Sequence, residues 1–221
     1  MSYKSEFITF MAQSGVLTFG DFTTKSGRKT PYFINTGNYK TGGQIARLGE
    51  FYAACIEEHI KSGELPEDIT ALFGPAYKGI PLAVSAASAL YKGGRDLNYC
   101  FNRKEVKDHG EGGTFVGYIP QPGQEIVIIE DVITAGTAIR ESMEILSQLP
   151  DTKVIATFIM VNRKEKGQTE KGAMEEISEQ FGFPVYSVVD VYDIIEFLEE
   201  DPANEENVTR IKNYLAINGA K

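Results

Sequence analysis

The sequence predicts an α/β fold, a central parallel sheet with helices on both faces. Two observations predict it. From residue 69 onward, short apolar runs are each followed by a stretch of helical periodicity, a rhythm typical of parallel strands joined by helical crossovers. The 221 residues are 42% hydrophobic and 24% charged without a composition break, as expected of one globular unit with one sizeable core.

The N-terminal elements are two helices and a hairpin. Apolar residues recur at three- and four-residue spacing over residues 3–13 and 43–60, which predicts two amphipathic helices. Between them, polar and aromatic residues alternate around Ser26 and Gly27, which predicts a β-hairpin. Since no linker follows the hairpin, we interpret residues 1–40 as a small subdomain over the sheet and residues 41–221 as the core.

Four strand–helix pairs supply most of the predicted sheet. The strands are expected at ITALFG, EIVIIED, KVIATFIMV and PVYSVV, and the helices at IPLAVSAASALYK, TAIRESMEILSQL, KGAMEEISEQF and DVYDIIEFLEE. Two further runs, DLNYCFN and GTFVGYI, flank a loop over residues 103–113 and are expected to pair with each other. The tail NEENVTRIKNYLAI predicts a closing helix.

Composition and length disfavour several classes of protein. A net charge of −9 argues against nucleic acid or an anionic membrane as the main partner. No apolar run reaches the roughly 18 residues of a membrane span, and the first residues do not resemble a signal peptide, so we expect a cytoplasmic protein. Cys55 and Cys100 stand far apart, which predicts neither a disulfide framework nor a CxxC motif; Cys55 is expected to be a buried structural thiol.

Positive charge is gathered in three segments that are predicted to be loops. These are KSGRK at 25–29, RKEVKDH at 103–109 and RKEK at 163–166. Cations concentrated in the loops of an acidic protein indicate a small polyanionic ligand. Gly110, Gly112 and Gly113 follow the second segment, and their backbone freedom would let its basic residues close over a ligand and reopen.

The most informative segment is EIVIIEDVITAGTAIRES, residues 125–142. An apolar strand ends in Glu130 and Asp131, and a loop of small residues opens into a helix, whose first N–H groups can bind a phosphate. The expected phosphate cup consists of Thr134, Ala135, Gly136, Thr137 and Ala138. Neither a Walker-type GxxxxGK motif nor GxGxxG is present. The two acids either hold the vicinal hydroxyls of a ribose while Mg²⁺ neutralises the phosphates, or simply cap the next helix.

Several segments together resemble one enzyme family. Residues 125–142 resemble the phosphoribosyl pyrophosphate (PRPP) signature of the type I phosphoribosyltransferases, and residues 99–115 resemble the catalytic loop of the orotate phosphoribosyltransferases in particular. FTTKSGRKTPYFINTG at 22–37 is similar to their hood segment, and FGPAYKGIP at 73–81 and VNRKEKG at 161–167 match in order. The resemblance runs from about Gly15 to Leu198. It implies a Rossmann-like type I phosphoribosyltransferase fold, in which residues 1–40 form the N-terminal helix and hood.

The same resemblance implies a reaction, a cofactor and an assembly. Orotate and PRPP would give orotidine 5′-monophosphate and pyrophosphate, a step of de novo pyrimidine synthesis. Mg²⁺ would be held mainly through PRPP or pyrophosphate and water rather than by protein ligands. In this family the basic loop reaches into the neighbouring subunit's site, which implies a homodimer with two shared active sites.

The resemblance also assigns roles to individual residues. Those implied to bind PRPP are Lys25, Tyr77, Lys78, Arg103, Lys104, Lys107, His109, Glu130, Asp131, Val132, Ile133, Thr134, Ala135, Gly136, Thr137 and Ala138. Those implied to hold orotate are Lys25, Phe33, Ile34, Thr134 and Arg163, where Ile34 replaces a more common phenylalanine and would make an apolar contact instead of stacking. The implied catalytic residues are Asp131, Lys107, His109 and Lys104. Asp131 would stabilise the cationic ribose or relay a proton.

Two other functions are compatible with parts of the pattern. The ribose-phosphate signature does not specify the base, so a phosphoribosyltransferase for another base is one alternative, against which the basic segment and Arg163 argue. The other is a PRPP-sensing regulator, but no basic DNA-recognition helix is evident. A fusion to orotidylate decarboxylase would need roughly 200 further residues for its barrel domain.

Overall fold

The computed structural model describes residues 2–24, 27–107, 113–133, 136–167 and 169–220. Within these ranges the α-helices are α1 (Tyr3–Gln13), α2 (Gly42–Lys61), α3 (Gly79–Lys92), α4 (Thr137–Leu146), α5 (Ala173–Phe181), α6 (Val191–Glu199) and α7 (Glu205–Asn218). The strands are β1 (Leu17–Thr23), β2 (Lys29–Ile34), β3 (Ala71–Gly74), β4 (Asn98–Lys107), β5 (Gly113–Gly117), β6 (Glu125–Ile129), β7 (Lys153–Asn162) and β8 (Val185–Asp190). Short 3-10 helices lie at Thr36–Asn38 and Pro202–Asn204.

The strands form two sheets. β1 and β2 pair as the antiparallel hairpin predicted for the hood. The central sheet has six strands in the order β5-β4-β3-β6-β7-β8. All its neighbouring pairs are parallel except β4 and β5, which pair antiparallel as expected for DLNYCFN and GTFVGYI. The predicted α/β class, the strand–helix order and the closing helix are therefore confirmed.

The expectation of a loop over the whole of 103–113 was wrong for its two ends. Strand β4 continues to Lys107, and β5 already begins at Gly113, with Lys107 and Gly113 as register partners. The ladder is irregular between Asn102 and Lys107, where β4 runs past the end of β3. A basic sequence can remain in a strand here because only one neighbour, β5, has to pair with it and the side chains of Lys104 and Glu105 are exposed.

The central sheet is covered on both faces, as the near-continuous apolar strands predicted. Leu72, Val127 and Phe158 point to a core shared with α1, α2, α3, α6 and α7. Phe73, Ile126 and Ile128, their neighbours along the strands, point to a second core under α4 and α5. This alternation is the period of two that a strand imposes on its side chains.

The N-terminal residues contribute to the larger of these cores. Phe7 and Met11 of α1 and Leu17 of β1 belong to the same apolar cluster as the side chains of α2 and α6. The hairpin packs on α7, where the rings of Tyr32 and Tyr214 meet edge to face with centroids 6.3 Å apart. The hood is therefore anchored by the closing helix.

Two further sequence expectations, one about Cys55 and one about membrane spans, can be compared with the described residues. Cys55 is fully buried, and burial raises the pKa of its thiol to about 12, so the prediction of a structural thiol is confirmed. None of the helices among the described residues is long and apolar enough to cross a membrane.

Candidate functional site

The candidate site lies where the order of strands in the central sheet reverses. The chain passes from β3 to β4 on one side and from β6 to β7 and β8 on the other, so the carboxyl ends of β3 and β6 lie next to each other at a topological switch point. Crevices at such points are where open α/β sheets bind ligands. Lys78 follows β3, and Glu130 and Asp131 follow β6. Residues separated by about fifty positions in sequence are thus brought to one crevice.

Lys78 and Asp131 form an ion pair across this crevice. The Lys78 Nζ donates to Asp131 Oδ2 at 2.7 Å and to Thr36 Oγ1 at 3.2 Å. The Thr36 hydroxyl donates to the same Asp131 oxygen at 2.9 Å. Lys78 stands at the N-cap of α3, where the helix dipole disfavours a cation, and Asp131 supplies the compensating charge. The Lys78 side chain is 66% exposed and that of Asp131 only 11%, so the lysine is the partner that can swing away.

The two adjacent carboxyls have opposite proton affinities. Burial raises the pKa of Glu130 to about 7, against the opposing effect of the Asp131 N–H that donates to Glu130 Oε1 at 2.9 Å. Burial acts in the same sense on Asp131, but Lys78, the N–H of Val132 and the Thr36 hydroxyl outweigh it, so the pKa of Asp131 lies below its ordinary value. Near neutral pH the site therefore holds one firmly ionised carboxylate beside one that readily takes a proton.

Buried groups fix the chain where it leaves β6. The Tyr52 hydroxyl, on α2, donates to the Glu130 carbonyl at 2.7 Å. The Val132 N–H donates to Asp131 Oδ1 at 2.7 Å. The side chains of Val132 and Ile133 pack against opposite cores, on the two faces of the sheet. Val132 and Ile133, named from the sequence as PRPP contacts, thus present backbone rather than side chain to the crevice.

The structure describes part of the segment that the sequence predicts to be a phosphate cup. Thr134 and Ala135 lie outside the described residues. Gly136 is the N-cap of α4, with φ of 72°, and it makes no side-chain cap. The left-handed backbone conformation favours glycine here, and a Cβ would also come within 2.6 Å of Ile177 Cδ1, so that side chain would have to shift. Thr137 and Ala138 are exposed in the first turn of α4, which begins shortly after Asp131 in the sequence. The N–H groups of such a first turn have no partner within the helix.

The loop from β3 to α3 is tied to the strand that carries the basic segment. The buried Asn102 of β4 accepts a hydrogen bond from the Ala76 N–H through Oδ1 at 2.9 Å. Its amide nitrogen donates to the Arg103 carbonyl at 3.3 Å. One side chain thereby holds the backbone just before Tyr77 and Lys78. Sequence analysis missed Asn102, although a polar residue inside the apolar strand DLNYCFN was a usable signal.

The basic segment is brought toward the same loop. Lys104 is exposed, and its Nζ lies 5.9 Å from the centroid of the Tyr77 ring, which is itself 71% exposed. Arg103 Nη1 donates to the Gly113 carbonyl at 3.2 Å, bracing the two sides of the hairpin formed by β4 and β5. The backbone of Lys107 belongs to β4, but its side chain lies outside the described part of the chain, as does all of His109.

Arg163 lies under the hood. Its guanidinium sits over the Tyr32 ring at 4.5 Å, and its Nε donates to Glu165 Oε1 at 2.7 Å. Its Nη2 also donates to Thr30 Oγ1 at 3.2 Å. Burial works against the charged form, but the neighbouring Tyr32 and Glu165 more than offset it and raise the pKa of Arg163. The sequence predicted Arg163 but neither of its supports, Tyr32 and Glu165.

The hood's other predicted residues are split between two faces of β2. Phe33 is 37% exposed and stacks on Phe22 of β1, with ring centroids 5.5 Å apart. Ile34 is half-buried against the larger core. Lys25 lies outside the described residues. Thr36, which contacts both Lys78 and Asp131, was also missed, although it lies inside the hood segment 22–37.

Metal binding by the chain alone has no support in the described residues. Among them, no group of three or more His, Cys, Asp or Glu side chains could hold an ion. Asp131 is engaged by Lys78, and Glu130 accepts a hydrogen bond from the following N–H. Mg²⁺ commonly keeps several waters and binds through one or two carboxylates plus substrate phosphates. The residues present fit an ion that arrives with a phosphorylated ligand.

Comparisons with known proteins agree with this geometry. A family model for a phosphoribosyl transferase domain matches residues 35–190. An orotate phosphoribosyltransferase of Clostridium botulinum is 48% identical over 227 residues, covering 100% of this chain and 99% of the relative. One from Pseudomonas fluorescens is 49% identical over 216 residues, covering 97% of each. The crystal structure of the Francisella tularensis orotate phosphoribosyltransferase superposes with a TM-score of 0.82 at 37% identity, covering 97% of this chain and 99% of that one.

Proposed function

The chain belongs to the orotate phosphoribosyltransferases, and from that premise we propose that it transfers the 5-phosphoribosyl group of PRPP to orotate. The products are orotidine 5′-monophosphate and pyrophosphate, in de novo pyrimidine synthesis. The observation that carries the proposal is the convergence of Lys78, Thr36 and Asp131 between the ends of β3 and β6. In that crevice the exposed ammonium group of Lys78 lies beside the buried carboxylate of Asp131. A phosphorylated sugar requires both, a cation for its phosphates and an acceptor for its hydroxyls.

The ribose and its 5′-phosphate occupy the end of β6 and the turn that follows. Glu130 and Asp131 accept hydrogen bonds from the vicinal hydroxyls, while the backbone of residues 132–138 and the N-terminus of α4 hold the phosphate. Gly136 gives the turn before α4 the left-handed backbone conformation from which the helix N–H groups face the phosphate. The lowered pKa of Asp131 keeps an acceptor available at neutral pH.

Lys78 exchanges partners during the reaction cycle. In the free chain it neutralises Asp131. When ribose hydroxyls take over Asp131, the exposed lysine turns to the pyrophosphate. The residues that surround the pyrophosphate together with Lys78 are Tyr77, Arg103, Lys104, Lys107 and His109. The bond from C1 of the ribose to pyrophosphate breaks as the bond from C1 to N1 of orotate forms, and N1 gives up its proton. Negative charge grows on the leaving group, so cations aimed at it stabilise the transition state more than the ground state.

The base lies between the hood and the end of β7. Arg163 offers a planar guanidinium to the orotate carboxylate, a match that lysine does not provide. The base pocket is completed by Phe33, Ile34, Lys25 and Thr134. Asp131 stabilises the cationic ribose or relays a proton.

Magnesium, assembly and location complete the proposal. Mg²⁺ binds mainly through the oxygens of PRPP or pyrophosphate and water, and when bound it neutralises charge on the leaving group. The family resemblance supports a homodimer in which the basic segment of each subunit serves its neighbour's site. We also propose that the enzyme is cytoplasmic, as expected from the sequence.

The direct test is the loss of orotate absorbance on mixing the protein with orotate, PRPP and Mg²⁺. We expect loss that requires both PRPP and Mg²⁺, and we expect Lys107→Ala to slow turnover about a hundredfold, because one cation that stabilises the leaving group is lost. Lys92→Ala, at the exposed end of α3, is the matched control and should keep full activity. Consumption of PRPP with uracil or a purine but not with orotate would contradict the assignment of the base.

A further inference from the structure

The segment that presents Arg163 is held by the C-terminal tail of the chain. The Lys166 N–H donates to the Asn218 carbonyl at 3.0 Å, and the Ala220 N–H donates to the Lys164 carbonyl at 2.8 Å. Glu165 and Gly219 form an antiparallel bridge between these two contacts. The tail, residues 218–220, therefore lies beside residues 164–166 as a short added strand.

A second contact from the same helix reaches Arg163 through aromatic rings. The buried ring of Tyr214, on α7, meets the ring of Tyr32 edge to face, with centroids 6.3 Å apart. Tyr32 is fully buried and carries the Arg163 guanidinium 4.5 Å from its ring centroid. Edge-to-face aromatic pairs and cations over aromatic faces are each attractive and directional. Helix α7 thus supports the guanidinium of Arg163 through Tyr32, while the tail holds the backbone of the three residues that follow Arg163.

The half-buried ion pair of Arg163 with Glu165 explains why this support matters. The side chains of Arg163 and Glu165 are only 18% and 16% exposed, and the guanidinium and carboxylate lie 2.6 Å apart. Arg28, in the hood, is also attached, because its Nη1 donates to the Lys166 carbonyl at 3.1 Å. A guanidinium group that must meet a carboxylate edge to edge loses much of its binding energy when the guanidinium tilts or shifts. The tail and Tyr214 limit such shifts.

We propose that the C-terminal tail, residues 218–220, and Tyr214 are a positioning element for Arg163 and thereby set the preference for a base that carries a carboxylate. The inference rests on the proposed function, since Arg163 is there assigned to the orotate carboxylate. The tail is assigned no contact of its own with the substrate. Its loss should weaken only ligands whose carboxylate faces Arg163.

The test uses two nucleotides that differ by that carboxylate alone. Binding of orotidine 5′-monophosphate and of uridine 5′-monophosphate is measured by titration calorimetry with the full chain and with a chain that ends at Asn218. We expect the shortened chain to bind orotidine 5′-monophosphate about tenfold more weakly, a change of about 1.4 kcal/mol, and uridine 5′-monophosphate within twofold of the full chain. In steady-state kinetics the KM for orotate should rise in the same proportion, with the KM for PRPP unchanged.

Two further variants keep the comparison informative. Ile217→Ala, 75% exposed on the last turn of α7, is the matched control and should bind both nucleotides normally. Gly219→Ala displaces the tail without shortening it, because a Cβ there would lie 2.5 Å from the Leu215 carbonyl oxygen. It should reproduce the deletion even if the shortened chain folds poorly.

The outcomes separate the two levels of inference. Equal weakening of both nucleotides, or no change in either, would show that the tail is only structural and would overturn the proposal. Arg163→Gln is measured in parallel. If Arg163→Gln abolishes the preference for the carboxylate and the tail variants retain it, the tail proposal fails while the proposed function stands. If Arg163→Gln keeps the preference, the assignment of Arg163 itself fails.

Discussion

Glu130→Gln should make the stability of this protein less dependent on pH. Burial raises the pKa of Glu130 to about 7 from its ordinary value of 4.5. Between these values the native state binds a proton that the unfolded chain releases, so native stability falls as pH rises toward 7. Glutamine keeps an oxygen for the Asp131 N–H and carries no charge. The stability of the variant should therefore increase relative to that of the wild type as pH rises.

The size of the effect follows from the same two pKa values. A carboxyl perturbed to this extent changes the unfolding free energy by roughly 2 kcal/mol between pH 5.5 and pH 8.5. We expect the gap between Glu130→Gln and wild type to widen by that amount in favour of the variant. The series begins at pH 5.5 because the isoelectric point is about 4.9 and solubility is lowest there.

Urea unfolding followed by circular dichroism at each pH measures the gap. Phosphate buffers are avoided, because an anion in the cup would add binding energy to the native state. Glu141→Gln, an exposed carboxyl on α4, is the matched control and should track the wild type at every pH. A gap between Glu130→Gln and wild type that stays constant from pH 5.5 to 8.5 would refute the assignment of a buried, proton-accepting Glu130.

Two other substitutions test how the site is built. Gly136→Ala should lower the unfolding free energy by about 1–3 kcal/mol, since the residue has φ of 72° and its Cβ would meet Ile177; an unchanged urea midpoint would contradict this. Asn102→Leu removes the acceptor for the Ala76 N–H, so the KM for PRPP should rise about fivefold with little change in the KM for orotate; initial-rate kinetics decide, and equal rises in both would point to general destabilisation.

Much of the fold could be predicted because it follows from local patterns. The period of two in the strands and the three- and four-residue spacing in the helices are properties of short segments, so the strand–helix order and the hairpin were predicted correctly. The exception was the ends of the segment 103–113. Its charges resemble those of a loop, yet β5 pairs with it as a strand, and no local pattern reports the presence of a pairing partner.

The sequence by itself determined the fold class, the strand that ends in two acids, and the glycine that opens α4, because each depends on residues that are neighbours in the chain. Only the tertiary structure decided which groups share a crevice. Lys78, Thr36 and Asp131 come from three separate segments, and their contacts exist because β3 and β6 are adjacent in the sheet. The opposite proton affinities of Glu130 and Asp131 likewise depend on burial and on partners far away in sequence. Charge and solvent exclusion act through space, and the order of residues does not specify those distances.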